Sequence, residues 1–173
     1  MSNVIDSYLS NNYEEVDCVS FYRDVFPIGS FENKGEYVDG CYNGIAISVG
    51  LEDKHIKRYT LTDDLQVLNE LTESDDFCLM SPISYAGKSR KSSNARFLYA
   101  MAIDLDGVSE DKNVKFLLEQ CEYGHEMLSF VWGLPKPTYL ISSGTGIHIY
   151  YAFKRPIALF PNVVKELEKL KRR

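Results

Sequence analysis

The stretch FLYAMAIDLDGV, residues 97–108, decides how this chain is read. On a β-strand, residues two apart point to the same side. One face of the segment therefore carries Phe97, Tyr99, Met101, Ile103 and Leu105, and the other Leu98, Ala100, Ala102, Asp104 and Asp106. The first face calls for a helical layer to pack on it. The second begins small and ends in two carboxylates, about 6–7 Å apart along the strand. Two ionised carboxylates this close repel each other, so a fold tolerates them cheaply where solvent or a cation compensates. Oxygen ligands on a rigid element suit Mg²⁺ or Mn²⁺, ions that bridge carboxylates to substrate phosphates. Asp104 and Asp106 are thus candidate metal ligands, and the plain alternative is a strand that ends in an Asp106–Gly107 turn.

A second segment, SSGTGIHIYYAF (142–153), yields to the same alternation. Ile147, Ile149, Tyr151 and Phe153 belong to a core face, whereas His148, Tyr150 and Ala152 lie opposite. His148 projects from the less apolar side, which can be the side of the two aspartates. The residues before it can close a hairpin, and their glycines permit close backbone approach. Exposed amides in such a loop bind anions. An imidazole there can donate to a phosphate oxygen or ligate a metal, or simply be a strand histidine satisfied by polar neighbours. The last reading is the one given to His55 and His125.

Working outward, GIAISVG (44–50) alternates as a strand does, and KHIKRYTL (54–61) is its expected hairpin partner. Leu65, Leu68 and Leu71 recur at helical spacing behind Thr62, the expected N-cap, with Asp63 and Asp64 in the first turn. Residues 13–43 show no clean period and read as loops or short elements. The segment FCLMSPISYAGKSRKSSNAR (77–96) passes from an apolar strand into a polar basic loop, and the expected lobe boundary lies near its start. Beyond it the pattern predicts a strand at 97–105, a helix at 111–122, strands at 137–142 and 147–153, and a helix at 161–172. This β-α-β-β-α order is the split β-α-β plan without its last strand. The expected fold is α+β: an N-terminal α/β lobe over 1–76 and an RRM-like core over 77–173.

Of the 173 residues, 45% are hydrophobic and 13% aromatic, the composition of a folded globular chain. A net charge of -6 argues against a generally basic nucleic-acid-coating protein. Lys88, Arg90, Lys91 and Arg96 nevertheless fall within nine residues just before the Asp-x-Asp strand. Such a patch either holds a template or primer backbone, with salt-sensitive affinity, or is a solvated loop. Cys18, Cys41, Cys78 and Cys121 form no C-x-x-C pair, which leaves four free thiols as the simplest expectation. The polar N-terminus lacks the apolar region of a secretory signal, and no run reaches the roughly 20 apolar residues of a membrane helix. A cytoplasmic chain without a membrane partner is expected.

Asp104-x-Asp106 at the end of a hydrophobic strand, followed by Ser143-Gly144-x-Gly146-x-His148-x-Tyr150, resembles the catalytic core of the archaeo-eukaryotic primase superfamily. The likeness covers about residues 77–160 and is greatest to the primase-polymerases in replication proteins of bacterial plasmids and mobile elements. It implies a DNA primase or polymerase that joins nucleoside triphosphates to a 3′-hydroxyl on a single-stranded or primed DNA template. It further implies Mg²⁺ or Mn²⁺ held by Asp104 and Asp106, and a nucleotide held by Ser143, Gly144, Thr145, Gly146 and His148. Further C-terminal domains or a helicase are implied partners. Such primases carry a third acidic residue on a later strand, and no residue up to Arg173 matches it. A longer chain or a partner is then expected to supply it, or the chain lacks turnover.

Two rival readings follow from the same residues. AIDLDGV also resembles the first motif of haloacid-dehalogenase-type phosphatases, with Asp104 as nucleophile and Asp106 as acid/base, although the lysine and acidic pair expected downstream do not appear. The other is a nucleic-acid-binding replication module that keeps the core without catalysis.

Overall fold

The structure, a computed structural model, describes residues 4–33, 36, 42–106, 136–143 and 146–171, with Asp106, Leu170 and Lys171 described by backbone alone. Among them the chain is α+β, with four α-helices and seven strands, and the registers described are antiparallel. The helices are α1 (Val4–Asn12), α2 (Cys18–Val25), α3 (Gln66–Thr72) and α4 (Pro161–Lys171). The strands are β1 (Tyr42–Val49), β2 (Ile56–Leu61), β3 (Phe77–Met80), β4 (Ile83–Ala86), β5 (Ala95–Asp106), β6 (Tyr139–Ser142) and β7 (Gly146–Ala158). Contacts divide the chain into two compact units, one of Met1–Glu15 and Met101–Ala152, the other of Val16–Ala100 and Phe153–Arg173. The long strands β5 and β7 each contribute to both.

In the larger unit β1 pairs with β2 on one edge, as its alternation predicts, and with β3 and β4 on the other. The expected loop after β3 is instead a second strand. Pro82 lacks an amide donor and breaks the apolar run, and β4 then joins β5 through Ile83–Leu98 and Ser84–Phe97. Phe26, Phe31 and Tyr99 form an aromatic centre, with ring centroids 4.8, 5.2 and 6.1 Å apart. The Tyr99 hydroxyl donates to the Ser30 carbonyl at 3.0 Å. Gly44 of β1 lies under Phe31, where a Cβ would meet the ring at 2.7 Å, so a larger residue would displace that aromatic.

The helix behind Thr62 starts later than its sequence suggests. Leu65, in a left-handed conformation, is the N-cap of α3, and the Thr62 hydroxyl bonds to Asp64 instead. Asp63 does not serve the helix dipole. Its carboxylate accepts from the amides of Gly29 at 2.9 Å and Phe31 at 3.1 Å, which lie more than 30 residues upstream. Arg23 closes the latch, donating to the Asp63 carbonyl at 2.7 Å with its other terminal nitrogen 4.0 Å from the carboxylate. Within residues 13–43, read as loops or short elements, the short helix α2 forms behind Asp17, whose side chain accepts from the Ser20 amide and hydroxyl. Those two bonds hold the Asp17 carboxyl below its usual range.

In the smaller unit β7 lies between β5 and β6. Its core gathers Ile5, Tyr8 and Leu9 of α1 against Ile103, Leu105, Leu140, Ile147, Ile149 and Tyr151. Helix α1 was hidden in a polar N-terminus because its apolar stripe is only two turns long, yet Ile5 is wholly buried. The helix expected at 111–122, His125, Cys41 and Cys121 lie outside the described residues.

Candidate metal and nucleotide site

Alternation along β5 and β7 builds this site. Ile103 and Leu105 go to the core of the smaller unit, as do Ile147 and Ile149, so the intervening Asp104 and His148 turn to the other face. Because β5 and β7 are neighbours, the two side chains meet, with His148 Nε2 3.3 Å from Asp104 Oδ1. The pair is open to solvent, the Asp104 side chain being 62% and that of His148 36% exposed. Asp106 is the last residue of β5, two positions on.

Strand β6 completes the surface. Ile141 stands directly opposite His148, and Tyr139 opposite Tyr150. Tyr150 also feels Asp104. Burial first, and then that negative charge, push its phenol above the usual tyrosine range. Sequence reasoning placed Tyr150 in a motif but gave it no part. The signal was its position two residues from His148, on the same face.

The turn between β6 and β7 is a hairpin, with Ser143 N–H donating to the Gly146 carbonyl at 3.0 Å. That amide is therefore spent within the turn, while the Ser143 side chain is exposed and Gly146 is buried. Gly144 and Thr145 lie outside the described residues. At the base of the hairpin, Thr138 N–H donates to the Tyr150 carbonyl at 2.8 Å, and the Ala152 amide donates to the Thr138 hydroxyl at 3.0 Å. These bonds fix the register that aims His148 outward.

The basic segment belongs to the larger unit. Gly87 turns the chain with φ +70, and a short 3₁₀ helix, Ser92–Asn94, leads into β5. Lys88 and Lys91 are exposed, and Arg90 and Arg96 are half-buried. Arg96 is used locally, donating to the carbonyls of Ser93 at 3.0 Å and Ala95 at 2.9 Å. Among the four cations, the two lysines are those presented to solvent. His55 ends the β1–β2 turn, its carbonyl accepting from Gly50 N–H.

Among the described residues no group of three or more His, Cys, Asp or Glu side chains converges as a cation site, a set that omits the Asp106 side chain. No described helix is long and apolar enough to cross a membrane. Comparison with protein-family models, curated proteins and solved structures gives no match.

Proposed function

We propose that the chain carries a metal-dependent nucleotidyltransferase site of the DNA primase/polymerase kind, serving replication of a plasmid or mobile element. The observation that carries this reading is the meeting of Asp104 and His148 on the solvent-facing side of adjacent strands, close to the β6–β7 hairpin. Strand order supports it, since a split β-α-β plan sets its third strand between the first and second, as β7 lies between β5 and β6. The fourth position, beside the first half of β5, is taken by β4 from upstream.

In this reading Asp104 and Asp106 hold Mg²⁺ or Mn²⁺. A divalent ion there would neutralise the incoming triphosphate and activate the attacking 3′-hydroxyl. His148 offers a hydrogen-bond donor to phosphate oxygens, joined by the exposed Ser143 hydroxyl. Of the four cations in the basic segment, Lys88 and Lys91 are the exposed ones that could meet a template backbone.

The test is incubation of the full chain with Mn²⁺ or Mg²⁺, labelled nucleotides and a primed DNA template. Extension that Asp104→Asn removes is the expected outcome. Phosphate release from a small phosphomonoester without extension would transfer the site to the phosphatase class. Salt-sensitive DNA binding with neither activity would make the chain a binding module.

A further inference from the structure

We infer that the β2 edge of one copy of this chain binds the β3 edge of another, joining the two sheets side by side. The inference is independent of the chemistry at Asp104 and His148. Strand β1 is flanked by β2 on one side and β3 on the other, and among the described strands each of these pairs with β1 alone. A strand with no neighbour on its outer side presents backbone amides and carbonyls as a template for another chain. Val49 stands opposite both Ile56 and Phe77, and Ile47 opposite both Arg58 and Leu79, so these six side chains share one face. The outermost apolar ones stay open, Ile56 being 63%, Phe77 55% and Leu79 44% exposed. A neighbouring sheet would cover their flanks and continue the apolar band.

Charge selects which edges meet. Strand β2 carries Lys57 and Arg58, both exposed, and no acidic residue. Strand β3 is uncharged and follows Glu73 and Asp75, both exposed, while Asp76 beside them is engaged by the Ser48 hydroxyl at 3.1 Å. Two β2 edges together would oppose cations, and two β3 edges would oppose carboxylates. Only β2 against β3 sets cations beside carboxylates. The charges of the turn before β2 stay within it, Lys54 Nζ donating to the Leu51 carbonyl at 2.7 Å and Asp53 accepting from the His55 amide at 2.9 Å. Both edge strands run antiparallel to β1, so a copy displaced across its own sheet presents β2 parallel to β3. Because the two edges differ, the contact is head-to-tail and repeats from copy to copy.

Sedimentation velocity of the full chain over a concentration series, at low and raised salt, tests this. The mass should rise with concentration and fall back as salt screens the paired charges. Two double variants then separate the edges: Lys57→Glu with Arg58→Glu makes both edges acidic, and Glu73→Lys with Asp75→Lys makes both basic. Each alone should associate at least about tenfold more weakly than the wild type. Their equimolar mixture should associate again, since the unaltered β3 edge of the first meets the unaltered β2 edge of the second. Recovery in the mixture also shows both variants folded, and thermal melting checks each alone. A wild-type chain that stays monomeric throughout the series would overturn the inference and leave Lys57 and Arg58 as guards against edge pairing. Association that neither variant weakens, or that the mixture fails to restore, would overturn it as well.

Discussion

Each of the two compact units holds an aspartate beside a basic side chain, and the two pairs are built for different ends. In the larger unit Asp63 is only 11% exposed, its oxygens taken by the Gly29 and Phe31 amides, with Arg23 against its backbone. In the smaller unit Asp104 is 62% exposed and faces a half-exposed imidazole. A carboxylate whose lone pairs are filled by backbone donors stabilises a fold. One left open on a sheet face beside a second ligating group is poised for something that arrives from solution.

The sharpest break between the pairs is in stability. Asp63→Ala leaves the Gly29 and Phe31 amides without their acceptor, while Arg23 keeps the backbone carbonyl, and should cost about 1–3 kcal/mol by denaturant unfolding. His148→Ala should change stability by less, no more than about 1 kcal/mol, since it removes a half-exposed side chain whose ion pair faces solvent. Equal costs for the two would erase the distinction between a latch and a site.

A smaller effect comes from the tyrosine beside each acid. Burial raises both Tyr99 and Tyr150 above 10.0, with Asp63 adding to the first and Asp104 to the second. Since the folded values lie above the unfolded one, the stability these phenols contribute is complete below pH 10 and is lost as pH rises through the folded values. In a phenolate absorbance titration, Asp104→Asn should bring Tyr150 part of the way down and leave Tyr99 in place. The residual elevation of Tyr150 is its burial. A variant that moved Tyr99 instead would show that the charge assignment is wrong.

The faces of β5 and β7 were legible in the sequence because strand alternation is local and has period two. Asp104 and His148 could be assigned to the less apolar sides, but their contact could not, since it requires β7 to lie next to β5. Asp63 shows the opposite failure. Thr62-Asp63-Asp64 before a leucine repeat has every local mark of a helix start, yet Asp63 is captured by Gly29 and Phe31, partners that no local window contains. Helices α1 and α2 escaped notice for want of length, being nine and eight residues long. Within 77–96, expected to pass from one strand into a loop, Ser81–Pro82 instead separates two strands, β3 and β4.

The most direct measurement of whether Asp104 belongs to a working site is nucleotide incorporation on a primed template by the wild type and Asp104→Asn, at matched thermal stability. The expected result is Mn²⁺-supported incorporation that falls about 10²–10³-fold in the variant, while its melting temperature stays at the wild-type value. Incorporation undiminished by the substitution would contradict the assignment of Asp104 to catalysis.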